Sequence, residues 1–196
     1  MKPLPRAVSR MADSGPSPTK AAGRAGSPPA VEVSRKSALW DGAGVSDALL
    51  TRAAVAAFAA TAPRESGACE ITVVLADDAE QRTLNRIWRG QDAPTNVLSF
   101  PAGAQPHEAV GEARPLGDVV LACETVMREA RAAGITPADH TVHLVVHGVL
   151  HLLGFEHDDE MQAEQMESLE RKVLATFGIA DPYAAAGEPA VAEVRR

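Results

Sequence analysis

The sequence predicts an α/β domain: a small mixed sheet of about four strands covered by helices, with a histidine-bearing helix at its centre. Three observations carry this. Short β-branched runs alternate with longer helical patterns. The segment 137–153 is apolar almost all round (Val142, Leu144, Val145, Val146, Val149, Leu150, Leu152, Leu153), as a buried helix is. That same segment carries His143, His147 and His151, one helical turn apart.

The elements follow in order. Residues 1–30 hold six of the fourteen prolines and five Lys/Arg against one acid, with no periodic apolar face. We read them as a disordered basic extension; an organellar transit peptide is the minor alternative, disfavoured by the Pro/Gly content. The domain is expected over 31–183. Val31-Glu32-Val33 suggests a first strand, and Ser46-Asp47 cap a helix of about 46–61. Pro63 to Gly67 is a turn, and Cys69 to Ala76 is the clearest strand. Asp77-Asp78 begin a helix over 78–88 that is expected to bury Leu84, Ile87 and Trp88. Its arginines Arg82, Arg86 and Arg89 form a stripe, solvated for the first two, with Arg89 at the helix end before Gly90.

Asn96 to Phe100 reads as a short strand, and Pro101 to Pro115 as a loop containing His107. Leu116 to Leu121 is another strand, in which Asp118 either faces water or orients something buried. A helix over 123–133 turns Val126, Met127 and Ala130 inward and stops at Gly134; Thr136-Pro137 then open the histidine helix. His140, near its start, is expected at the surface. Asp158-Asp159 introduce a last helix to about Phe177, with Met161, Gln165, Met166, Leu169, Val173 and Leu174 available for packing. Residues 184–196 read as a flexible tail.

Composition narrows the class. Net charge is −7, and the basic extension leaves the remainder at −11, against a broad non-specific nucleic-acid surface though not against a local basic cleft. No apolar run is long enough for a membrane span, so no membrane partner is expected. Cys69 and Cys123, without a CxxC pair, read as reduced core thiols of a cytoplasmic protein.

The chemistry concentrates in His147-Gly148-Val149-Leu150-His151-Leu152-Leu153-Gly154-Phe155-Glu156-His157. His147 and His151 share a helix face, Gly154 can end the helix, and the reversed chain can return His157 to them. Three imidazoles leave one position of a tetrahedral zinc open, the pattern of a catalytic site. His143 is nearer to a hydrogen-bonding partner of the cluster than to a fourth ligand. The spacing equals that of the metzincin proteases, but Gly148 stands where they need a glutamate general base, so peptide hydrolysis is disfavoured.

This stretch resembles the H-G-x-L-H-L-x-G-[YF]-D-H signature of the YbeY family of metal-dependent endoribonucleases, with Glu156 where that family usually has Asp. Arg89-Gly90 through Pro94-Thr95-Asn96-Val97-Leu98-Ser99-Phe100-Pro101, Leu116-Gly117-Asp118-Val119 and Asp181-Pro182-Tyr183 are also similar to family motifs. The resemblance implies one catalytic Zn2+ per chain on His147, His151 and His157, with Arg89 as the functional arginine. His147 would then be catalytic through the metal, and His143, Glu156 and Asp158 would lie behind the ligands. It further implies a single-strand-specific endoribonuclease of 16S rRNA 3′-end maturation and ribosome quality control. Its partners would be rRNA or ribosomal particles, ribosomal proteins or a GTPase assembly factor. Such a zinc would lower the pKa of a bound water to about 7, and Arg89 would neutralise charge on the phosphate. Glu156, Asp158 or the metal-bound hydroxide could act as general base, and either water or the RNA 2′-OH could attack. The alternatives are a non-catalytic ribosome-assembly factor that contains zinc, and a zinc hydrolase of another substrate.

Overall fold

The computed structural model describes residues 27–61, 68–103 and 113–184. Most of the basic extension, the Pro63–Gly67 turn, His107 and nearly all of the tail lie outside the described residues.

Four strands form one mixed sheet: β1 (Ala30–Arg35), β2 (Cys69–Ala76), β3 (Val97–Pro101) and β4 (Arg114–Ala122), in spatial order β1-β2-β4-β3. β1, β2 and β4 run parallel, and β3 is antiparallel to β4. Five α-helices accompany them: α1 (Asp47–Ala60), α2 (Asp78–Arg89), α3 (Cys123–Ala133), α4 (Pro137–Leu152) and α5 (Glu160–Ala175). The α/β class and the central histidine helix are as expected. β4 starts earlier than the sequence suggested, with Arg114 and Pro115 already in the strand.

Alternation along β2 sends Ile71, Val73 and Leu75 to one face, where Val119 and Leu121 of β4 join them, all fully buried. α4 lies across this face. A Cβ on Gly148 would stand 2.6 Å from Val119 Cγ1, so the glycine is what lets helix and sheet approach so closely. α4 enters through Thr136, whose hydroxyl accepts from Asp139 N–H at 3.0 Å, with Pro137 in its first turn. It ends where Gly154 takes φ 83° and Phe155 N–H donates back to Leu150 O at 3.0 Å.

β4 carries an irregularity: Glu70 pairs with Pro115 and Ile71 with Gly117, leaving Leu116 as an extra residue. Gly117 sits there at φ 137°, and a Cβ would fall 2.2 Å from Phe100 O. The Leu-Gly-Asp sequence thus owes its glycine to backbone geometry. Asp118 is exposed on the sheet's other face, between Thr72 and Phe100 in register.

α2 packs on that other face and overturns one expectation. Ile87 and Trp88 are 66% and 68% exposed, and Leu84 is only half-buried. The buried residues are Gln81 and Asn85. Gln81 Nε2 donates to Val120 O at 3.1 Å, and Asn85 Nδ2 donates to Ala93 O at 2.8 Å. Amide hydrogen bonds to β4 and to the following loop therefore anchor the helix, and its large apolar groups turn outward.

Three further points differ from expectation. A 3₁₀ turn, Ala38–Gly42, was not legible; it buries Trp40, whose Nε1–H donates to Ala76 O at 2.8 Å. His140 is not at the surface: its side chain is 13% exposed and its Nε2 lies 2.8 Å from Glu129 Oε2, because α3 packs beside the start of α4. In α5, Met161 is 78% exposed and Gln165 is exposed; the helix buries Met166, Glu170, Val173 and Leu174 instead. Among the described residues, no helix is long and apolar enough to cross a membrane.

Candidate metal centre

α4 presents His143, His147 and His151 in a row, and the turn at Gly154 returns the chain so that His157 faces the last two. Ring centroids are 4.6 Å apart for His147–His151, 5.1 Å for His151–His157 and 5.7 Å for His147–His157. One ligand atom from each of these three lies within 4.8 Å of the others, so the group can hold a metal ion.

The contacts behind the rings show why the group suits a cation. His147 Nδ1 lies 2.8 Å from Glu170 Oε1, and His151 Nδ1 lies 3.3 Å from Glu156 Oε2. An ionised carboxylate only accepts, so His147 Nδ1 carries the hydrogen and His147 Nε2 keeps its lone pair. The Nε2 atoms of His147 and His151 are 3.1 Å apart. At that distance both nitrogens can serve one cation, with the His147 Nε2 lone pair already turned toward the cleft. Burial first, then the neighbouring His147, holds the His151 imidazole below its ordinary pKa. That favours the neutral ring, the form a metal binds.

Glu170 is the residue the sequence reading missed. It is fully buried on α5, and beyond His147 it accepts from His143 Nε2 at 3.0 Å and from the Tyr183 hydroxyl. Burial alone would push its carboxyl up; the hydrogen bonds from His143, His147 and Tyr183 outweigh it and leave a pKa of about 2. Burial, and then the bond to Glu170, raises the Tyr183 phenol in turn. His143 is thus committed to Glu170, one turn behind the three-histidine group. A signal was available: Met166, Glu170 and Leu174 fall four apart, which places a carboxylate in the middle of an apolar stripe.

The three histidines open onto a cleft that Arg89, Ser99, Phe100, Glu156 and Asp158 also line. α2 delivers Arg89: the helix stops at Gly90, in the left-handed conformation at φ 68°, and the loop turns away. Ser99 Oγ donates to Gly148 O at 3.1 Å and ties β3 to the histidine helix. Arg82 and Arg86 are not among the residues lining the cleft. Arg82 is forked onto Asp92 by bonds of 2.8 and 2.7 Å, so the stripe of three arginines narrows to one at the site.

A sequence profile of the family described as endoribonuclease YbeY matches residues 45–178. The chain belongs to the YbeY family. An endoribonuclease YbeY from Azorhizobium caulinodans is 51% identical over 158 residues, covering 81% of this chain and 96% of that protein. One from Rhodospirillum rubrum is 54% identical over 149 residues, covering 72% of this chain and 74% of its own length. A third, from Rhodopseudomonas palustris, is 48% identical over 159 residues, at 80% and 91% coverage. All three relatives are endoribonucleases by name, that is, RNA-cleaving hydrolases. The profile of the YbeY family spans α1 to α5, and so takes in Arg89, the three histidines and Glu170.

Proposed function

We propose that the chain is a zinc-dependent, single-strand-specific endoribonuclease of 16S rRNA 3′-end maturation and ribosome quality control. The observation that carries the reading is one cleft lined both by the three convergent histidines and by Arg89. His147, His151 and His157 would hold a single Zn2+: three neutral imidazoles with an open fourth position suit zinc and leave room for a substrate. When bound, that ion supplies Lewis acidity, activating water near neutral pH and polarising a phosphoryl oxygen.

The chain's own groups do the rest. Arg89 spreads its guanidinium over the non-bridging phosphate oxygens, whose charge grows as the bond breaks. A peptide carbonyl has no such pair of oxygens, so an arginine here favours a phosphodiester. Gly148 faces Val119, so the position that carries a protease's glutamate has no room for one. Two carboxylates line the cleft, Glu156, which lies 3.3 Å from His151 Nδ1, and Asp158, and both are candidates to take the proton from the attacking hydroxyl. Ribosomal particles are the proposed substrate, met in the cytoplasm with ribosomal proteins or a GTPase assembly factor. Such partners supply contacts that an acidic protein lacks.

The test joins metal analysis to RNA cleavage. Wild type should carry about one zinc per chain, His147→Ala should lose it, and Arg89→Ala should keep the metal while cleavage falls about 100- to 1000-fold. A metal-free protein that cleaves at full rate would rule out the mechanism. Zinc-loaded wild type that cleaves no ribosomal RNA would point to a non-catalytic assembly factor.

A further inference from the structure

α2 buries two amides and exposes its largest ring. Trp88 is 68% exposed, although an indole is seldom left in water without a partner. Its position is defined: the Trp88 and Phe100 centroids are 5.7 Å apart with planes inclined at 59°, so an aromatic neighbour on β3 braces the indole. Both rings line the same cleft as His147, His151 and His157. A cation, Arg89, follows the exposed ring directly in the chain and lines the same cleft.

We infer that Trp88, braced by Phe100, is a stacking platform for one unpaired nucleobase of the RNA, next to the phosphate held at Arg89. This rests on the endoribonuclease reading and deepens it by naming a base subsite. An indole face accepts any base, and a base can reach it only when unstacked, so the platform selects single strands without selecting sequence. Adjacent residues then divide the substrate between them, Arg89 taking the backbone and Trp88 the base. A protein partner's apolar side chain would also cover Trp88. Arg89 on the same cleft and the continuity with the histidine group favour a polyanion that carries aromatic rings.

Intrinsic fluorescence tests this directly, because the chain's other tryptophan, Trp40, is buried. Zinc-loaded protein is titrated with a short single-stranded oligoribonucleotide, 2′-O-methylated to block cleavage, and with an abasic oligomer of the same length. The base-bearing oligomer should quench tryptophan emission; the abasic one should bind about tenfold more weakly and quench nothing. In cleavage assays, Trp88→Ala should raise KM about tenfold with zinc content unchanged, while Trp88→Phe, which keeps a ring, should recover most of the loss. Equal affinity for both oligomers without quenching, in a protein that cleaves RNA, overturns the platform alone. Neither binding nor cleavage of any RNA overturns the endoribonuclease reading together with it.

Discussion

Glu170 Oε1 lies 2.8 Å from His147 Nδ1, across the contact between α5 and α4. A carboxylate with no exposed surface thus decides which nitrogen of His147 faces the cleft. The carboxylate also raises the basicity of that nitrogen, because the Nδ1 hydrogen is shared with a negative charge. Glu170→Gln keeps the shape and removes the charge. We expect zinc affinity to fall about 10- to 100-fold, read by chelator competition, with the fold kept by circular dichroism. Tyr183→Phe, which removes one donor to the same carboxylate, should have a smaller effect in the same direction. Unchanged affinity in Glu170→Gln would show that His147 needs no help from behind.

Gly148→Ala should destabilise the protein, against the usual trend. In an exposed helix, Ala is better than Gly by about 0.5–1 kcal/mol. Here the added Cβ meets Val119 Cγ1 at 2.6 Å and Ser99 Oγ at 3.1 Å, on a face with no room to yield. Overpacking of this kind costs about 1–3 kcal/mol, so the thermal midpoint should drop. Gly148→Glu should unfold the domain before it creates any peptidase. A midpoint that rises in Gly148→Ala would mean that α4 can lift off the sheet.

The two cysteines should be silent in the native protein. Cys69 and Cys123 are both buried thiols. Burial, then the carboxylates Glu124, Asp78 and Asp77, push the Cys123 thiol from 9.0 up to about 11. A raised pKa means that the fold favours the neutral thiol. Its contribution to stability is complete below pH 9.0 and fades as pH climbs toward 11. Iodoacetamide at pH 9 should leave native protein unmodified and label both cysteines in denaturant. Fast labelling of native Cys123 at that pH would show that α3 opens readily.

Most of the fold could be read from local chemistry. Caps at Ser46, Asp77, Thr136 and Asp159, a stop at Gly134, and the β-branched run of β2 mark where elements begin and end. The three-histidine cluster was legible because its spacing lies within one stretch of sequence. What stayed hidden depends on partners distant in sequence. Ile87 and Trp88 look like core residues until the amides of Gln81 and Asn85 find acceptors on β4 and in the loop. Glu170 looks like a surface charge until α5 folds onto α4, and His140 looks exposed until Glu129 of α3 reaches it. Asp118, left undecided by its neighbours in sequence, turned out to face water.

The turn at Gly154 divides the histidine group into unequal halves. His147 and His151 ride on a helix pinned to the sheet, whereas His157 is exposed on the connection that leads to the Asp159 cap. An ion held there would have two ligands fixed on one helix and its third, already turned toward them, on the connection. Release would begin at the connection, with His157 letting go first. The residence time of the metal would then be set less by the helix than by how easily a few residues between Leu153 and Asp159 straighten.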